Sequence, residues 1–303
     1  MPRHFLSILD LNRESAWHVL RRALAIKHEA RTDGVLSGKT VVLVFEKPST
    51  RTRVSFEVAV NDLGGTALFM ASGDSQLGRS EPLKDTARVL SRYAHALVVR
   101  TFGQANLEEM ARYASIPVIN ALTDEYHPCQ VMSDVLTMFE GRPDLENLKV
   151  AWVGDGNNMA HSWINAAVHF PFELALAAPK GYKPNPDVVE NARQAGARLS
   201  LTSDPREAVA GADFVNTDVW ASMGRESEHS TRLDVFSPYQ VNDELLTLAH
   251  PEAKVMHCLP AHRGEEITDQ VMEGPRSIVW DQAENRLHMQ KALLEWIFQG
   301  RDS

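Results

Sequence analysis

Apolar residues recur along this chain with two alternating periods, and their alternation predicts its architecture. Asn12 can cap a helix in which Trp17, Leu20 and Leu24 recur at i, i+3 and i+7. Gly34 and Gly38 then punctuate the chain before an unbroken apolar strand, Val41 to Phe45. Short β-rich runs follow at Thr66–Met70, Ala96–Arg100 and Ile116–Asn120, separated by helix-length segments such as Pro82–Tyr93 and Asn106–Ser115. Strands separated by helices form a parallel βαβ sheet, because a parallel neighbour needs a long crossover. Gly141-Arg142-Pro143-Asp144 breaks the pattern. A second series then predicts strands at Val150–Gly154, Glu173–Ala178, Arg198–Thr202, Asp213–Thr217, Lys254–Cys258 and Ser277–Trp280. From Glu284 to Phe298 an apolar stripe, Met289, Leu293, Trp296 and Ile297, marks a last helix that must dock on a core. The expected architecture is α/β, with two doubly wound parallel-sheet domains joined by helices. One covers residues 1–140 and the other 148–283, and the helix 284–303 packs back onto the first.

Composition narrows the function. With 44% hydrophobic and 23% charged residues among 303, the chain is globular. Lys plus Arg number 31 against 40 Asp plus Glu, a net charge of 31 − 40 = −9, so the overall field repels nucleic acid. Any anionic ligand must meet local clusters of arginine. The longest apolar stretches are strand-sized, far below the roughly 20 residues of a membrane-spanning helix. Met1-Pro2-Arg3-His4 leads almost directly into a helical pattern with no export signal, and Cys129 and Cys258 show no disulfide-style spacing. Both features are those expected of a cytoplasmic protein.

The densest chemical signal is Glu46-Lys47-Pro48-Ser49-Thr50-Arg51-Thr52-Arg53, set directly after a buried strand. It opens a helix whose Phe56, Val60 and Leu63 repeat at helical spacing until Gly64-Gly65. A helix N-terminus offers unpaired N–H groups and a positive dipole end, three hydroxyls add donors, and Arg51 supplies a bidentate fork for phosphoryl oxygens. The glycines and Gly-Lys-Ser/Thr of a P-loop are absent. The plain alternative is a well-capped helix with two solvated arginines.

Ser49-Thr50-Arg51-Thr52-Arg53 resembles the carbamoyl-phosphate signature of the aspartate/ornithine carbamoyltransferase family, and the family's other motifs follow in order. Ser75-Gln76-Leu77-Gly78 is similar to its mobile loop, Arg100 ends a strand as its carbonyl-polarising arginine does, and His127-Pro128-Cys129-Gln130 is similar to its His-Pro-x-Gln element. Three motifs resemble members that act on ornithine rather than aspartate: Asn157-Asn158-Met159, Asp218 with Ser222-Met223-Gly224, and His257-Cys258-Leu259-Pro260.

The resemblance implies transfer of a carbamoyl group from carbamoyl phosphate to the δ-amine of L-ornithine, giving L-citrulline and phosphate. It implies a homotrimer or a multiple of it, with no metal or cofactor. Ser49, Thr50, Arg51 and Thr52 would hold the phosphate, joined by Gln76, Arg286, Cys258 and Leu259. Arg100, His127 and Thr52 would surround the carbonyl oxygen, and Gln130 would accept from the carbamoyl NH₂. Asn158, Asp218, Ser222 and Met223 would bind ornithine, with Asp218 and Cys258 easing delivery of a neutral amine. An alkylammonium with a pKa near ~10.4 is rarely neutral at pH 7.

Each residue also has a structural reading. His127 is a candidate core histidine, Arg100 a strand-end ion pair, Asp218 a loop cap, Cys258 a small buried hydrophobe and Arg286 a solvated helix charge. Related chemistry on N-acetylornithine or putrescine, or a phosphometabolite-binding module, also fits the first domain. Gly154-Asp155-Gly156 is half a dinucleotide fingerprint, but the third glycine position is Met159 and no acidic residue ends the next strand, which argues against an NAD-dependent reductase. His257, Cys258 and His262 do not have the spacing of a tetrahedral zinc site.

Overall fold

In a computed structural model, residues 2–29, 34–71, 81–221 and 229–299 are described. Two compact units emerge, Met1–Leu136 with Asn285–Ser303, and Thr137–Glu284. In the first, helix α1 (Arg13–His28) starts at Asn12, whose side chain accepts from Ser15 N. The chain then alternates through β1 (Thr40–Phe45), α2 (Thr50–Asp62), β2 (Thr66–Ala71), α3 (Leu83–Tyr93), β3 (Ala96–Arg100), α4 (Gln104–Tyr113), β4 (Val118–Leu122) and α5 (Pro128–Gly141). The four strands are parallel in the order β2-β1-β3-β4. Val41 to Phe45 are all buried, which is why this strand reads as a continuous apolar run rather than an alternating one. Phe56, Val60 and Leu63 are each 0% exposed, and burying each stabilises the fold by about 1.5–3 kcal/mol.

The second unit runs β5 (Lys149–Val153), α6 (Asn158–His169), β6 (Glu173–Ala177), α7 (Pro186–Gln194), β7 (Arg198–Thr202), α8 (Pro205–Val209), β8 (Phe214–Thr217), α9 (His229–Phe236), α10 (Asp243–Leu246), β9 (Lys254–His257) and α11 (Asp269–Glu273). Its parallel sheet has the order β7-β6-β5-β8-β9. One face packs Ala151, Val153, Val215 and Val255 against Val209 and Val271. Helix α12 (Val279–Gln299) closes the described chain. Its later turns belong to the first unit, where Arg22 Nε donates to Glu295 Oε2 at 2.6 Å.

Two expectations need correction. Ser277–Trp280 is not a strand: Ser277 makes a single bridge to Val255, and α12 begins at Val279 with Gln282 N donating to Ile278 O. A short apolar run does not distinguish a buried strand from the first turn of a helix. In α1 the buried stripe is Ala16, Val19, Leu20, Ala23 and Ile26, while Trp17 and Leu24 are only half-buried. There the small alanines face the core and the larger Trp17 lies at its margin.

Candidate active site

Both sheets place their chemistry at the carboxyl ends of strands where the winding changes direction. In the first sheet the switch lies between β1 and β3, in the second between β5 and β8. Crevices outside such switch points are where open α/β sheets bind ligands, because the adjoining loops diverge there.

In the first unit the loop after β1 becomes the N-terminus of α2. Ser49 caps that helix by accepting from Thr52 N at 3.3 Å, and its first turn carries no acidic residue to offset the dipole. Thr50 is exposed and Arg51 half-buried, whereas Thr52 is buried below them. Arg100 ends β3 beside a register shift between Val99 and Arg100, a local irregularity of the kind that re-aims a side chain. Arg286, from α12, donates through Nη2 to Thr52 Oγ1 at 2.6 Å and through Nη1 to Gln130 Oε1. Gln130 Nε2 in turn donates to Asp134 Oδ1 at 2.8 Å.

Arg100, His127, Gln130 and Arg286 are all buried. Burial first, then the charges of Arg286, Arg100 and Arg51, holds the His127 imidazole well below the usual histidine range. His127 is therefore neutral near pH 7 and able to donate one hydrogen bond without adding a fourth cation. The sequence gives no reason to single out Lys47, yet it is buried, paired with Asp124, and its Nζ lies 4.3 Å from the Phe102 ring centroid.

In the second unit Asp218 follows β8. Its Oδ2 accepts from Asn157 Nδ2 at 3.0 Å, and its Oδ1 accepts from the Cys258 thiol at 3.0 Å and from Val219 N at 2.8 Å. Asn158 is the first residue of α6, half-buried beside this carboxylate's partner. Cys258 and Leu259 follow β9. Leu259 has φ of +59°, unusual for a branched side chain, and its N–H donates to His257 Nδ1 at 2.9 Å. His257 Nε2 meets Glu266 Oε1 at 3.0 Å. Both ring nitrogens of His257 are therefore engaged, one by Leu259 N and the other by Glu266. Ligand atoms of Asp218, His257 and Cys258 lie within 4.8 Å of one another, with the His257 nitrogens already engaged in this way.

The half dinucleotide fingerprint has another use. Gly156 N donates to Tyr182 O at 2.8 Å, and a Cβ on Gly156 would lie 2.2 Å from Pro184 N, so the glycine permits a close backbone crossing. Asp155 accepts from Arg232 Nη1 at 2.7 Å, and the same guanidinium nitrogen donates to Trp220 O at 2.6 Å. Arg232 lies over the rings of Tyr182 and Phe236, 4.9 and 5.7 Å from their centroids. This buried arginine ties together the loops that carry Asn157 and Asp218. No local pattern announces it, since it reads as one more polar residue of a helix. Gln76, Ser222 and Met223 lie outside the described residues.

Fold and half-sites together define a two-unit α/β protein, with a cationic, hydroxyl-rich set on one parallel sheet and a carboxylate–thiol set on the other. Residues 3–140 match the family model for the aspartate/ornithine carbamoyltransferase carbamoyl-P binding domain, and residues 146–297 that for the Asp/Orn binding domain. The chain belongs to the aspartate/ornithine carbamoyltransferase family. It is 62% identical to an ornithine carbamoyltransferase of Nitratidesulfovibrio vulgaris, over 98% of this chain and 99% of that protein. To the ornithine carbamoyltransferase of Oleidesulfovibrio alaskensis it is 60% identical, over 99% of this chain and the whole of that one. The solved ornithine carbamoyltransferase of Pyrococcus furiosus superposes with a TM-score of 0.93 at 46% identity, covering 99% of this chain and 98% of the other. The anabolic ornithine carbamoyltransferase of Campylobacter jejuni superposes with a TM-score of 0.94 at 40% identity, covering 99% and 100%. Among the described residues no helix is long and apolar enough to cross a membrane.

Proposed function

We propose that this protein transfers the carbamoyl group of carbamoyl phosphate to the δ-amine of L-ornithine, giving L-citrulline and phosphate. The observation that carries the reading is Arg286 joining Thr52 to Gln130 beside a neutral His127, within a cationic set that opens on the N-terminus of α2. Ser49, Thr50, Arg51 and Thr52 bind the phosphate, helped by Arg286 and by Gln76. Arg100, His127 and Thr52 bind the carbamoyl oxygen, and Gln130 accepts from the carbamoyl NH₂ with the lone pair that Arg286 leaves. Cys258 and Leu259 complete the carbamoyl-phosphate contacts.

In the reaction the δ-nitrogen adds to the carbamoyl carbon, charge gathers on the carbonyl oxygen, and the bond from carbon to the phosphate oxygen breaks. Donors already aimed at that oxygen stabilise the tetrahedral state without reorganising, which is the largest source of rate in acyl transfer. The departing phosphate can take the proton released by the amine. Asp218 holds ornithine's ammonium charge, with Asn158, Ser222 and Met223 on the amino-acid head, while Cys258 contacts the reacting nitrogen. We assign the enzyme to arginine metabolism in the cytoplasm, as a homotrimer or a multiple of it.

The test is colorimetric ureido-product formation from carbamoyl phosphate with L-ornithine, N-acetylornithine, putrescine and aspartate in parallel, repeated with Arg51→Ala. The expected result is strong preference for ornithine and a fall of about 10²–10³-fold in kcat/KM for the variant. Equal or better turnover of another amine overturns the substrate, and an unaffected variant overturns the phosphate site.

A further inference from the structure

Asn157 has no part in the mechanism above, yet both ends of its amide are in use. Its Oδ1 accepts from Met159 N at 2.9 Å and Ala160 N at 3.2 Å, capping α6, while Nδ2 donates to Asp218 Oδ2 at 3.0 Å. We infer that Asn157 is a positioning residue that fixes the span between the start of α6 and the Asp218 carboxylate, and so selects an α-amino acid over a simple diamine. The inference rests on the functional reading above, in which Asn158 at the start of α6 meets the ornithine carboxylate and Asp218 its ammonium.

The chemistry follows from the amide itself. An amide has distinct ends, an acceptor oxygen and a donor NH₂. Turning it over would point NH₂ at two backbone donors and an oxygen at a carboxylate, so only one orientation satisfies every neighbour. The side chain thus acts as a rigid planar link between the helix start and Asp218. The other Asp218 oxygen is held by Val219 N and the Cys258 thiol, which fixes the carboxylate plane as well. Among the described residues every group donating to Asp218 is neutral, so its charge is oriented but not cancelled. The link is itself anchored, because Asp155, two residues before it, is held by buried Arg232. An α-amino acid carries its carboxylate and ammonium on one carbon, and groups that recognise both must keep a set separation. A diamine makes no such demand.

Two substitutions separate this role from plain helix capping. Asn157→Ser keeps a capping hydroxyl but loses the donor to Asp218, whereas Asn157→Asp keeps the cap and sets a second carboxylate oxygen against Asp218. Steady-state kinetics of the full-length chain should show KM for L-ornithine raised about tenfold or more by Asn157→Ser, and further by Asn157→Asp. KM for carbamoyl phosphate should stay within about twofold, and the preference for ornithine over putrescine should shrink with the ornithine effect. Ornithine KM unchanged in both variants, or equal rises for the two substrates, would overturn the inference. Failure of the unaltered protein to carbamoylate ornithine would instead overturn the functional reading on which it rests.

Discussion

The two half-sites use arginine in opposite ways. In the first unit Arg51, Arg100 and Arg286 act together on His127, and Arg286 donates to two uncharged side chains, Thr52 and Gln130. In the second unit buried Arg232 is matched by Asp155 and a carbonyl, and the site's net character comes from Asp218, which neutral donors orient. Buried arginines in this fold therefore serve two purposes: in one unit they surround an imidazole, and in the other one of them joins two loops through an ion pair. Burial does not tell the two apart, since Arg286 and Arg232 are 3% and 1% exposed.

Removing the paired arginine of the second unit should have the greatest consequence. Arg232→Met leaves Asp155 buried without its cation, and breaking one side of a buried pair costs about 3–5 kcal/mol. Thermal denaturation should show a drop of roughly 10 °C, mostly restored by adding Asp155→Leu. A shift below about 2 °C would mean that the pair is not architectural.

The next effect concerns protons. The folded state holds the His127 pKa below its unfolded value of about 6.5, so the unfolded chain binds the extra proton and stability rises with pH across that window. The contribution is complete above about pH 6.5 and is lost as the pH falls below it. Urea denaturation at pH 7.5 and 5.5 should therefore show a smaller loss on acidification for His127→Gln than for the parent. Identical losses would remove the imidazole from the cationic set.

The smallest effect contrasts the two thiols, one in each unit. Burial pushes Cys129 up to about 12, and its thiol donates to Asn120 O, so the nucleophilic thiolate is scarce at neutral pH. Cys258 is only half-buried. Iodoacetamide followed by peptide mapping should label Cys258 alone in the native protein, and L-ornithine with carbamoyl phosphate should slow that labelling. Modification of Cys129 at a comparable rate would contradict the packing of α5.

Much of this was legible in the sequence because it is local. The apolar run Val41–Phe45 specifies a strand covered on both faces, and Ser49-Thr50-Arg51-Thr52 specifies a capped, donor-rich helix start, since both depend on neighbours a few residues apart. The same local reading failed at Ser277–Trp280, where a short apolar run fits either period and only the contacts of α12 decide it.

Neighbouring residues alone specify the alternating α/β architecture, the capped, donor-rich helix start after β1 and the residue types of the two half-sites. The tertiary structure alone decided which of those residues meet. Arg286 reaches Thr52 across 234 positions, Asp218 reaches Cys258 across 40, and Arg232 reaches Asp155 across 77. Pairing at such separations is set by how parallel sheets bring the ends of distant strands together, and no periodicity along the chain encodes it.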